Sequence, residues 1–74
     1  MGDHRIRESA RRYGVADHDI RHALVFAIRV RDMDGYTMII GPTTTGKLIE
    51  VAYNNFGDAF HAMSARNRFF RGRK

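Results

Sequence analysis

The hydrophobic period of this 74-residue chain changes once, near residue 26, and that change limits the folds open to it. Before it, apolar residues recur at helical spacing: Ile6, Ala10 and Tyr13 within residues 4–13, then Ile20, Ala23, Leu24 and Ala27 behind Asp17. Gly14 stands where a C-cap belongs, and Asp17 is placed to cap a second helix. After residue 26 the spacing is two. Phe26-Ala27-Ile28-Arg29-Val30-Arg31 alternates, Asp34-Gly35 is a two-residue hairpin turn, and Tyr36 to Ile40 returns. The loop Gly41 to Gly46 leads to a third strand, Lys47 to Tyr53, and the turn Asn55-Phe56-Gly57-Asp58 leads to a fourth, Ala59 to Met63. Connections this short join antiparallel neighbours. The predicted fold is therefore α+β: two N-terminal helices on a four-stranded antiparallel meander, with Ser64 opening a short C-terminal helix. Residues 1–74 read as a single domain.

Register decides which side chains meet. With Asp34-Gly35 as the whole loop, Met33 pairs with Tyr36, Arg31 with Met38 and Val30 with Ile39. In the last hairpin, a four-residue loop pairs Tyr53 with Phe60 and Val51 with Ala62, matching apolar to apolar. A slip of one residue would reverse every side chain. The predicted helix-covered face is Ile28, Val30, Ile39, Ile49, Val51, Tyr53, Phe60 and Ala62. The opposite face carries Arg29, Arg31, Glu50, His61 and Met63, with Glu50 and His61 as diagonal neighbours on adjacent strands.

Charge points to an anionic partner: a nucleic acid, an anionic membrane surface or an acidic protein, with the grouping of the arginines favouring a nucleic acid. The net charge is +5, five of the final nine residues (Arg66, Arg68, Arg71, Arg73 and Lys74) are cationic, and no acidic residue follows Asp58. Arginine pairs with phosphate in a bidentate fork, and the neighbouring Phe69 and Phe70 offer stacking surface for unpaired bases, or core beneath a terminal helix. Zero cysteines exclude disulfides and thiolate metal sites. No apolar run approaches 18 residues and no leader pattern opens the chain, so the expectation is a cytoplasmic protein without a membrane segment. A core this small gains from self-association or a partner chain.

Two other motifs lack the residues their chemistry needs. Gly41-Pro42-Thr43-Thr44-Thr45-Gly46-Lys47 matches the start of a phosphate-binding P-loop. The next residue, however, is Leu48 rather than a magnesium-binding hydroxyl, and a strand follows where a helix should begin. His18-Asp19-Ile20-Arg21-His22 has the i, i+4 histidines of a zinc helix but no third ligand, and both histidines are predicted on the solvent side. No metal and no cofactor are expected.

Three segments resemble one known family. Arg12-Tyr13-Gly14-Val15 resembles the "KHGV" region of BrnT-type toxins, Gly46-Lys47-Leu48-Ile49-Glu50-Val51-Ala52-Tyr53 their "GRLLxVVY" strand, and Phe60-His61-Ala62-Met63-Ser64-Ala65-Arg66 their "IRIISAR" ending. The similarity runs from about residue 9 to 68. It departs in lacking the initial strand before the first helix, and Tyr13 stands where histidine is usual. The resemblance implies a RelE-like ribonuclease of a type II toxin–antitoxin pair, bound and neutralised by a cognate antitoxin in a hetero-oligomer, or self-associated as a homodimer. It also places Ser64 and Arg66 on the family's Ser-Ala-Arg positions and Lys47 on its basic strand position.

The expected chemistry is metal-independent, because RNA carries its own nucleophile in the 2′-hydroxyl. Such cleavage requires a base, an acid and cations facing the phosphate. His61 and Glu50 are the acid/base candidates, and Arg66 with Arg29 or Arg31 the transition-state ligands. Lys47, Ser64, Arg68, Arg71 and Arg73 complete the predicted RNA contacts. The alternative is a basic nucleic-acid-binding module without catalysis.

Overall fold

A computed structural model describes residues 5–66. Within them, one α-helix, α1 (Asp17–Val25), packs on a four-stranded antiparallel sheet of strands β1 (Arg29–Met33), β2 (Tyr36–Pro42), β3 (Leu48–Asn54) and β4 (Ala59–Ser64). The spatial order is β1-β2-β3-β4, a meander as expected from the short turns. The short helix expected to open at Ser64 does not begin there: Ala65 and Arg66 are not helical, and Ala65 N–H instead pairs with the Leu48 carbonyl. Residues 67–74, with Arg68, Arg71 and Arg73, lie outside the described part. None of the described helices is long and apolar enough to cross a membrane.

The first predicted helix is instead a single 3-10 turn, Glu8–Arg11. Its segment has too few apolar residues to hold a longer helix, and β4 takes up the backbone groups such a helix would need. Arg7 N–H donates to the Ala59 carbonyl, Ala59 N–H to the Arg5 carbonyl, and the Ser9 hydroxyl to the Phe60 carbonyl. Ile6 forms an isolated parallel bridge with Ala59. Residues 5–7 thus lie against β4, and the 3-10 turn carries the chain past that edge of the sheet. Ala16, not Asp17, occupies the N-cap position of α1 and makes no side-chain cap. Asp17 is gripped by Arg11 through two bonds of 2.9 and 2.8 Å.

The stripe on α1 faces the sheet as read, with Ile20 and Ala23 buried against Ile39, Ile49, Val51 and Ala62. Helix and strand approach at backbone distance over Gly41, where a Cβ would run into the Ala23 carbonyl. His22 is not on the solvent side: its Nδ1 donates to the Pro42 carbonyl at 2.8 Å. The β1–β2 register is as derived from the Asp-Gly turn, with Gly35 at φ 90° where other residues are strained.

Two expectations about the covered face fail. Ile28 and Val30 are 61% and 65% exposed, because α1 packs on β2 and β3 and leaves β1 bare. Phe60 is on the other face. A bulge lets Tyr53 pair with Ala59 while Ala52 pairs with His61 and Val51 with Ala62. The extra residue in β4 turns Phe60 away from the helix, and the smaller Ala59 takes the core position.

Candidate active site

Cross-strand partners share a face, so the pairs Arg31–Met38, Met38–Ala52 and Ala52–His61 define one row across the helix-free side. A second row runs Arg29–Ile40, Ile40–Glu50 and Glu50–Met63. Neighbouring strands are about 4.8 Å apart, so Arg31 lies roughly 14 Å from His61 along its row. Arg29 and Arg31 are therefore too far from His61 to act with it on one small group.

Glu50 is the centre of the site. Its side chain is fully buried, in the middle of β3 between two strands. The carboxylate accepts from His61 Nε2 at 2.9 Å, from Arg66 Nε at 3.1 Å, from an Arg66 terminal nitrogen at 2.7 Å and from the Arg66 backbone N–H at 3.4 Å. Burial pushes this carboxyl up, but the Arg66 and His61 hydrogen bonds and charges outweigh it and hold the group below the usual carboxylate range. The same pairing raises the Arg66 guanidinium. Pairing continues past β4 through Ala65 N–H to the Leu48 carbonyl, which delivers Arg66 to the buried acid. Among the described residues no buried polar side-chain atom lacks a partner.

A carboxylate only accepts, so His61 must present its N–H at Nε2, and Nδ1 is the basic nitrogen of the neutral ring. The imidazole is one-quarter exposed. It borders a cavity of about 320 Å³ whose walls include Tyr36, Met38, Ala52 and Phe60 from the sheet, and Ser9, Arg12 and Tyr13 from the segment that rounds the β4 edge. Tyr13 meets the His61 ring edge-on at 6.0 Å between centroids, and Tyr36 meets Phe60 likewise at 5.7 Å. The cavity therefore combines aromatic surface, one cation and one group able to exchange a proton.

Lys47 and Ser64 lie elsewhere. They border a separate hollow of about 490 Å³ with Asp19, Thr43 and Thr45, on the far side of Tyr13. Its loop is a tight hairpin turn: Thr43 N–H donates to the Lys47 carbonyl, and the Thr43 hydroxyl accepts from the Lys47 backbone N–H. Among the described residues, no group of three histidine, cysteine or acidic side chains is placed to hold a metal ion. Arg12, Tyr13 and Tyr36 were missed as site residues. Only the Arg-Tyr pair before Gly14 marked the first two, and its approach to His61 depends on the 3-10 segment lying along β4.

In comparisons with known proteins, no family model, no curated protein and no solved structure matches this chain.

Proposed function

We propose that the chain is a metal-independent endoribonuclease of the toxin kind its motifs resemble, acting in the cytoplasm and neutralised by a cognate antitoxin. The observation that carries this reading is the polarity of His61. Its Nε2–H is committed to a buried, ionised Glu50, and its basic Nδ1 belongs to a partly exposed ring beside an aromatic-walled cavity. With RNA in that cavity, Nδ1 takes the proton of the 2′-hydroxyl and the 2′ oxygen attacks the adjacent phosphorus. The bond from phosphorus to the 5′ oxygen breaks, and the leaving oxygen takes a proton from water in the open cavity. The products are a 2′,3′-cyclic phosphate and a 5′-hydroxyl.

The residues take roles that follow from their surroundings. Arg12 supplies positive charge to the phosphate, and Tyr13, Tyr36 and Phe60 offer stacking surface to an unpaired base. Glu50 is buried and held ionised, which suits it to orient His61 rather than to act as an acid on substrate. Arg66 clamps Glu50, which makes it a positioning residue. Arg29 and Arg31 contact neighbouring phosphates.

Purified protein is expected to cut RNA in EDTA, leaving 2′,3′-cyclic or 3′-phosphate ends. His61→Ala should lose about 10²-fold or more of that rate while its circular dichroism and RNA affinity persist. Cleavage that needs added divalent metal, or that survives in His61→Ala, refutes the mechanism. One observation favours a second reading, the nucleic-acid-binding module. Glu50 bonded by both His61 and Arg66 also works as a static lock joining β3, β4 and the residues after them. That reading expects RNA affinity with no cleavage by the unaltered protein.

A further inference from the structure

On the sheet edge opposite β4, strand β1 is an edge strand, and among the described residues no strand pairs with its outer side. Its two faces differ over residues 28–31, beyond which the exposed Asp32 falls on the same side as Val30. On the helix side, Ile28 and Val30 are exposed, and so are Val25 and Phe26, which precede them in the chain at the end of α1, at 73% and 56%. Large apolar side chains left exposed together in this way often mark a contact surface. On the other side the same strand carries Arg29 and Arg31, both exposed.

The sequence of β1 argues against a second copy as the occupant. Antiparallel pairing about a two-fold axis normal to the sheet keeps the apolar faces together. The register that stacks Val30 on Val30 puts Arg29 opposite Arg31, and the one that stacks Ile28 on Val30 puts Arg29 opposite Arg29. Like charges directly opposite destabilise such pairs. Residues 67–74 are equally mismatched in charge, with Arg68, Arg71, Arg73 and Lys74 and no acidic side chain. A strand that fits must bring carboxylates to the arginine side and apolar side chains to the other, alternating residue by residue.

From this complementarity we infer that β1 is a docking edge for an extended segment of a different protein in which acidic and apolar residues alternate. The segment adds as a fifth strand. Backbone hydrogen bonds supply the pairing, its apolar side chains cover Val30, Ile28 and Phe26, and its carboxylates meet Arg29 and Arg31. The inference does not rest on ribonuclease activity. If that activity holds, the same segment competes with RNA for Arg29 and Arg31.

The test uses the full chain and two capped seven-residue peptides, one alternating glutamate and valine, the other of the same composition with its valines contiguous. The alternating peptide is expected to bind, with amide chemical-shift changes and slowed hydrogen exchange centred on residues 29–33. Val30→Glu, at an exposed site, should weaken it by about tenfold or more with the fold unchanged by circular dichroism. The Arg29→Glu, Arg31→Glu double variant should lose it and gain binding to an alternating lysine–valine peptide. No binding, equal binding of the contiguous-valine peptide, or shifts that map away from β1 overturns the inference. So does sedimentation showing that the protein alone dimerises and that Val30→Glu makes it monomeric, because the occupant is then a second copy.

Discussion

Arg66→Ala is expected to damage folding before it damages chemistry. The substitution removes two charge-assisted bonds, at 3.1 and 2.7 Å, from a carboxylate with no exposed surface of its own. The Arg66 backbone N–H and His61 Nε2 remain as donors to Glu50. Breaking a buried pair by deleting one partner costs about 3–5 kcal/mol, chiefly because the surviving charge is left uncompensated. Here the arginine side chain is 41% exposed, so water reaches part of the vacated site and screens the pair. The cost is then nearer to about 2 kcal/mol. In a domain of this size that lowers the melting temperature by roughly 10 °C. Thermal and urea unfolding followed by circular dichroism measure it, with Glu50→Gln/Arg66→Ala as the control. Removing the stranded charge should recover part of the loss, so the double variant should be less destabilised than the sum of its singles. A single variant within about 0.5 kcal/mol of the parent chain refutes the argument, as does strict additivity. Activity lost in Arg66→Ala would follow from either origin, whereas His61→Ala, which removes one bond from a partly exposed ring, separates them.

Acid should act through the same carboxylate. The folded Glu50 lies below its ordinary value of 4.5, so its stabilisation is fully present above 4.5 and disappears as pH falls through the lower folded value. Asp17 and Asp19 are also lowered, through hydrogen bonds from Arg11 and Thr44 respectively, and act in the same direction. The comparison that isolates Glu50 is therefore Glu50→Gln, whose urea midpoint should fall less steeply below pH 4.5, and an unchanged acid profile would count against the assignment. Gly41→Ala should cost about 1–3 kcal/mol by pushing α1 off β2, measured by urea unfolding, and a neutral effect would mean the helix shifts freely.

The hairpin of β1 and β2 was legible because Asp34-Gly35 admits one turn geometry, and that single register placed Arg29 and Arg31 on the face of Glu50 and His61. The Glu50–His61 contact followed from matching Val51 to Ala62 in the last hairpin, a pairing the structure keeps. The bulge left no comparable mark. Tyr53 opposite Phe60 and Tyr53 opposite Ala59 both match apolar to apolar, so hydrophobic pairing alone could not separate them. Alternation in β1 likewise identifies an apolar side without saying whether anything covers it. A nine-residue helix is only about 13 Å long, and α1 reaches two strands rather than three. The Arg66–Glu50 fork was out of reach for a related reason. The Ser-Ala-Arg ending suggested a cation for phosphate, whereas the extended pairing beyond β4 brings that cation back to an acid on the neighbouring strand.

The bulge in β4 also bears on how this chain tolerates changes of length. The pairs that hold the site, from Ala52 with His61 to Ile49 with Ser64, lie on one side of the irregularity, and the turn between β3 and β4 lies on the other. An irregular step of this kind can absorb a residue without passing the slip along the strand. Insertions or deletions at the exposed Asn55 and Phe56 should therefore leave His61 facing Glu50, while the same change made between His61 and Ser64 would rotate the histidine to the helix side. Natural or engineered variants of different length are expected to vary in that turn and to keep the stretch from His61 to Arg66 at constant spacing.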